Sequence, residues 1–316
     1  MVNTASTTST TSTASNEHIN LAVGSTRWQF EKRLRHTTVL QSFAFDDVGL
    51  RLYVAQVMQG GLRLAGEPRA YTADERRHRG DLCLNQLDYQ GTWLNHMYLL
   101  GFGHGVGLGV ETGPPGSAWI WTEADARAGG TAAFGRGISR FAFVNGETRR
   151  STAAATSYPV AGSTANQPSV DMEFKRLAVR HRIGSRLRYR VYALADAAEG
   201  DFTVPLHDFA QTATHPDPNI GLQGFALHGN YLYQVVGTAY GPANPPSDHG
   251  NMHVSCTDIR TGRQVQRTRT EAGHSLDYRE PEGLAVQRTA KPRLCMGLAS
   301  GAVGARRYSI YYKERG

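Results

Sequence analysis

One unit recurs along this chain, and it is built only from strands and turns. QSFAFDDVGLRLYVAQ, starting at Gln41, and QGFALHGNYLYQVV, starting at Gln223, share a pattern: Gln-x-Phe-Ala-apolar, a turn, then a second apolar run. Related stretches start near His104, Ser169 and Glu282. Between them lie second strand pairs, such as DLCLNQLDYQGTWLNHMYL from Asp81 and ISRFAFVNGETRR, whose Asn145-Gly146 step is a hairpin signal. The five starts are roughly 55 to 65 residues apart, a period that in an all-strand chain points to propeller blades or a similar array. The last copy shows strands near 284–287, 293–298 and 306–312, and residues 21–30 supply a fourth. Joining the two ends of the chain in one sheet removes open edges, which favour aggregation. A plain β-sandwich would leave the five copies unexplained. The expected fold is all-β, a five-bladed β-propeller over residues 19–316.

GFGHGVGLGV, residues 101–110, has glycine at every second position. In a strand, alternate side chains face opposite ways, so one face here is bare. Glycine in a strand is costly in entropy and packs nothing, so a bare face makes sense where another backbone comes close. Blades converge in this way beside a propeller axis. A phosphate loop is the competing reading, but the GxGxxG spacing is missing and Gly113-Pro114-Pro115-Gly116 forms a turn where a helix should start.

Ten of the first sixteen residues are Ser or Thr, too little apolar surface to offset ordering entropy. Residues 1–18 are expected to be a flexible or attachment arm. No basic-then-apolar leader precedes it, so no signal peptide is expected. No apolar run approaches the ~20 residues that span a bilayer, so no membrane insertion is expected. Cys83, Cys256 and Cys295 have no metal-like or disulfide spacing and are expected to pack as small apolar groups. The formal net charge of +7 favours acidic partners, among them nucleic acid, anionic wall polymer and anionic lipid. The stretches 60–80, 148–167 and 241–250 lack alternation and are expected to be long loops on the propeller faces; the first carries Arg63, Arg69, Arg76, Arg77 and Arg79.

No nucleophile elbow, metal motif or P-loop occurs, and no catalytic residue, metal or cofactor is expected. Glu123 and Asp125 are two apart and are the pair an acid–base hydrolase would need on one face. A positional pattern is more specific. Gln41, His104, Gln223 and Glu282 each open an innermost strand, and Gln167 lies near the fifth such start. In a propeller they gather at one mouth of the channel, where amide, imidazole and carboxyl groups can hydrogen-bond sugar hydroxyls or order water. Trp121, beside Trp119, and Tyr233, beside Tyr231, are candidates for stacking on sugar rings, with core packing as the alternative. Arg186 and Arg188, with Arg180, Arg182 and Arg190, are read as one basic face suited to phosphate.

QSFAFDDVGLRLYVAQV, GDLCLNQLDYQG, HMYLLGFGHGVGLGVE, WIWTEAD and RGISRFAFVNG together resemble the β-propeller shared by staphylococcal phage receptor-binding proteins and actinobacterial proteins named teichoic acid biosynthesis protein C. The resemblance covers roughly residues 38 to 316. It implies five blades, recognition of cell-wall glycopolymers such as teichoic acid, and in phage members a trimeric tail-tip protein. The expected function is therefore receptor binding on a virion tail or similar extracellular particle. The partners would be a surface polysaccharide, other tail proteins through the arm, and two further copies in a homotrimer, with no nucleic acid. Two alternatives stand beside it: a phosphodiesterase or glycosidase acting on the polymer, and a protein-binding scaffold propeller.

Overall fold

The computed structural model describes residues 17–114 and 117–314. The Ser/Thr-rich segment 1–16 of the expected arm lies outside the described residues. Glu17 and His18 do not: the His18 ring already packs on Tyr231, 5.5 Å between centroids.

The described residues form five sheets, antiparallel except for one short parallel strand added to the first. Their innermost strands are Leu40–Asp46, Leu108–Thr112, Thr164–Asp171, Leu222–His228 and Glu280–Gln287. In the first and fourth blades the tight turns expected from sequence join these to Arg51–Val57 and Tyr231–Val236. In the fifth blade the order from the centre outward is Glu280–Gln287, Arg293–Ser300, Arg307–Glu314, and then Thr26–Lys32 from the other end of the chain. Register pairs Thr26 with Tyr312 and Lys32 with Tyr308. The expected closure is present, with its strand a few residues further along than 21–30.

Packing follows from alternation. Each blade buries side chains on both faces, and the apolar core divides into five main wedges, one per blade interface. The wedge between the fourth and fifth blades holds Tyr233, Met252 and Val254 against Leu294, Met296 and Leu298. Ile19 and Leu21 enter the same wedge. Their backbone is pinned as well: Ile19 N donates to Tyr233 Oη (2.8 Å) and Leu21 N to Gln266 Oε1 (2.9 Å). Residues 17–25 thus strap the joint before the next segment completes the fifth blade. All three cysteines are free and buried.

The glycine-rich stretch is only partly a strand. Gly101 and Gly105 hold positive φ, 77° and 88°, and regular pairing starts at Leu108. The bare face exists at Gly107 and Gly109. A Cβ on Gly107 would sit 2.8 Å from the Pro168 nitrogen, and one on Gly109 2.5 Å from Val170 Cγ2. Both neighbours belong to the next innermost strand. Close approach of a second backbone explains these two glycines, and turning explains the earlier ones.

Three other expectations change. Asn145-Gly146 does not close a hairpin: Asn145 Oδ1 accepts from His96 N, Gly146 N donates to His96 O, and Thr148–Arg150 pairs in parallel with Trp93–Leu100 of the first blade. The 60–80 stretch is not all loop. Thr72 and Glu75 form a reciprocal capping box, Gly80 ends the turn at φ 72°, and Ala73–Arg79 is helical. Nor is it a free basic loop, since Arg76 is buried between Glu67 and Asp81, Arg69 meets Glu75, and Arg77 meets Asp74.

The strap should carry much of the stability of the fourth–fifth joint. Leu21→Ala removes a fully buried side chain and is expected to cost about 2–5 kcal/mol, read as a lower urea midpoint with unchanged slope. An unchanged midpoint would show that the strap is not part of the cooperative fold.

Candidate functional site at the channel mouth

Because the five innermost strands run the same way around the axis, their starts converge; His104 does not open its strand as expected but joins from the segment before Leu108, where the glycines turn the chain. Gln41, His104, Gln223 and Glu282 all line one open recess of about 740 Å³. Four blades contribute to it. Gln167 is not in its lining; it is buried in the third blade, where its Oε1 accepts from Arg180 Nη1 at 2.8 Å.

The recess is short of partners. Gln41 Nε2 donates to Leu40 O (3.1 Å) and, at 3.5 Å, to Glu282 Oε1. Gln41 Oε1, His104 Nδ1 and Glu282 Oε2 are buried, with no hydrogen-bond partner in the protein. Buried polar atoms are nearly always paired, so three orphans beside one cavity suggest bound water or a ligand. Gln223 Nε2 is anchored on Gly237 O at 3.2 Å.

Electrostatics keep the floor uncharged. Burial, with the Glu280 charge adding to it, holds the Glu282 carboxyl far above the usual carboxylate range. Burial also raises Glu280, although Tyr278 Oη donates to it at 2.7 Å. Burial pushes His104 down to about 4, and the Arg77 charge works in the same direction. The floor therefore offers a carboxylic acid, an amide and a neutral imidazole, while the wall holds Arg306 and an Arg77 already paired with Asp74, which lines the recess too. Arg306 lies over the Tyr278 ring, 3.3 Å from its centroid.

Other sequence candidates fall elsewhere. Trp121 and Tyr233 are core residues, 1% and 0% exposed, so neither has a free face for a sugar ring. Trp121 Nε1 donates to Glu111, and Tyr233 Oη accepts from the strap. Arg186 and Arg188 do not share a face with Arg180 and Arg182. The hairpin aligns Arg188 with His181 and Arg186 with Ile183, whereas Arg180 aligns with Tyr189 and Arg182 with Leu187. Arg188 and Arg190 also converge on Asp208, at 2.7 and 2.9 Å, and lose much of their attraction for another anion. The Glu123–Asp125 pair separates too. Glu123 is buried and accepts from Gly105 N (3.1 Å) and Gly135 N (2.9 Å), while Asp125, at φ 54°, turns to Arg136 and Tyr158. Sequence reading missed Glu280, Arg77 and Arg306. Glu280 lies two residues from Glu282, the spacing that was the available signal.

His104 should remain neutral across the physiological range. Its ring carbon shifts are expected to be flat from about pH 8 to pH 5.5 in NMR titration, whereas an inflection near the ordinary ~6.5 would contradict the buried environment. The sign follows from linkage. The unfolded chain takes up this proton near pH ~6.5 and the folded chain only near 4, so the stability held by neutral His104 is present above ~6.5 and declines as pH falls toward 4.

Comparisons with known proteins agree with this architecture. Residues 39–312 match the family described as the phage 5-bladed beta propeller receptor binding platform domain. A protein of Bacillus subtilis (strain 168) bearing the provisional name major teichoic acid biosynthesis protein C is 26% identical over 309 residues, covering 89% of this chain and 60% of the relative. The tail fiber of Staphylococcus aureus phage P68 superposes with a TM-score of 0.66 at 16% identity, over 92% of this chain and 53% of the fiber. The chain thus spans little more than half the length of these relatives. With five closed blades and a match along most of its length, the chain belongs to the phage five-bladed β-propeller receptor-binding platform family.

Proposed function

We propose that this chain is a non-catalytic receptor-binding module that seats a hydroxyl-rich unit of an anionic surface glycopolymer, such as teichoic acid, in the channel mouth. The observation behind this reading is that three residues lining one open recess, Gln41, His104 and Glu282, each carry a buried polar atom without a protein partner. A sugar or polyol hydroxyl both donates and accepts, so it matches a floor that presents an acid O–H beside amide and imidazole acceptors. Arg306 at the wall suits the negative charge that such a polymer carries. Family membership and the tail-fiber likeness fit a place on an extracellular particle. Attachment to that particle is assigned to the N-terminal arm.

Hydrolysis is the second reading, since Glu280 and Glu282 share the recess. Two-carboxylate catalysis needs one group ionised and one protonated, set by environments that push the two apart. Here burial raises both. Both carboxyls are thus shifted the same way, rather than apart as an acid and its partner base would be.

Adsorption of purified protein to isolated wall polymer tests the reading. Gln223→Ala is expected to weaken adsorption about 5- to 30-fold, from the loss of ~1–2 kcal/mol of hydrogen bonding. Glu282→Gln, which stays neutral, should bind within about threefold of wild type, whereas Glu282→Ala should not. No soluble products should appear on prolonged incubation. Wild-type adsorption by both Gln223→Ala and Glu282→Ala would remove the mouth from the account.

A further inference from the structure

A second cavity, of about 520 Å³, lies at the joint between the fourth and fifth blades and shares no lining residue with the mouth. One wall is the strap, residues 22–25. Another is the turn 268–275, and Tyr311 and Lys313 supply the side contributed by the fifth blade. Arg27, Arg269 and Lys313 line it, against a single carboxylate, Glu271, which lies 3.1 Å from His249.

The cations here differ from the ion-paired arginines elsewhere in the molecule. Arg76 lies between two carboxylates, and Arg188 and Arg190 share one. Around this cleft, positive charge is held by backbone carbonyls. Arg269 Nε donates to Gly250 O at 2.9 Å. Lys313, only 3% exposed, donates Nζ to Val23 O at 2.5 Å. Behind the turn, the fully buried Arg279 donates to Ala272 O and Thr270 O, both at 3.0 Å, and its Nη1 has no partner. The Arg27 guanidinium lies over the Phe30 ring at 4.7 Å. Carbonyls satisfy hydrogen bonds without cancelling charge. Buried cations without a counter-ion are costly, so an anion entering the cleft would offset that cost. Ser25 Oγ and Thr270 Oγ1, 3.4 Å apart, add hydroxyl donors.

We propose that this cleft is a phosphate-binding site. Cations on separate walls, with hydroxyls between them, suit a tetrahedral oxyanion whose oxygens point in several directions. They suit a planar carboxylate less, which a single guanidinium fork satisfies. The cavity is far larger than one phosphate, so it has room for the groups esterified to it. Because the strap forms a wall, bound phosphate also ties residues 22–25 to the fourth and fifth blades and should stabilise the closed ring.

Calorimetric titration of the full chain at low salt tests this with inorganic phosphate, glycerol 3-phosphate and poly(glycerol phosphate), with acetate as control. Saturable binding of phosphate compounds, at least tenfold tighter than acetate, is expected. It should be accompanied by a Tm rise of about 2 °C or more at saturation. Arg27→Ala/Arg269→Ala, two exposed positions, should lose at least tenfold in affinity and all of the Tm rise. Lys313→Met, which keeps the apolar stem, should lose affinity as well. Tighter binding of the polymer assigns the site to a chain diester, and tighter binding of the free ion assigns it to inorganic phosphate; either supports a phosphate site. Acetate binding as tightly, or wild-type affinity in the double variant, overturns it. Gln223→Ala should leave this binding unchanged, so failure at the mouth and failure here are separable.

Discussion

Pairing of Thr26–Lys32 with Arg307–Glu314 is the contact on which the rest of the structure depends. Each blade is a small twisted sheet with two apolar faces, and neither face is covered within the blade. Coverage comes only from the neighbours on both sides, so a ring left open would expose two apolar faces and two edges together. Closure covers both faces, and Thr26–Lys32 takes over as the outer edge of the fifth blade. It also makes distant residues neighbours: Gln41 and Glu282 are 241 residues apart and share a hydrogen bond because the first and fifth blades are adjacent. The mouth exists only because the ring is closed, since its lining comes from four blades.

The period of the fold was legible because burial of inner strands requires apolar residues at fixed places in every copy. The polar exceptions at the strand starts were legible for the same reason: a Gln, His or Glu where neighbouring positions are apolar marks a place where the strand leaves the core. That logic placed Gln41, His104, Gln223 and Glu282 in one recess. It failed where side and depth differ. Alternation assigns Trp121 and Tyr233 to a face, but it does not say that a neighbouring blade and a strap cover that face completely. It failed again for Arg186 and Arg188, where a hairpin intervenes between the two halves of the arginine run. Side-chain direction can be counted along one strand but not through a turn. The Asn145-Gly146 turn was legible as a turn. Its destination was set by a tertiary pairing with His96 that no local signal carries.

The closing strap connects stability with recognition. Residues that contribute Ile19 and Leu21 to the wedge also place Val23 carbonyl against Lys313 and form one wall of the basic cleft. A lysine is tolerated at 3% exposure there because the strap's backbone carbonyl accepts from it. The strap is in turn fixed in position by the fourth blade, through Tyr233 and Gln266. A change that loosens the strap therefore acts on the wedge and the cleft at once, even though the wedge is apolar and the cleft is charged.

The neutral mouth and the charged cleft also follow from where each lies. At the floor of the mouth the Glu282 carboxyl is buried, so an ionised group there has little solvation to replace what it loses. Burial accordingly favours the uncharged forms of Glu282 and His104, and under the proposed function selectivity there would rest on hydrogen-bond direction. A site at the outer part of a blade joint keeps contact with solvent. The guanidiniums of Arg27 and Arg269 are exposed there, and charge attraction reaches further than a hydrogen bond. For a polymer of alternating polyol and phosphate, these are complementary demands. In the proposed reading, phosphate would be drawn in by cations before its shape matters, and the polyol would be distinguished only once its hydroxyls meet fixed donors and acceptors. A ring of blades can meet both demands without compromise, because axis and joint are separate environments built from the same strands.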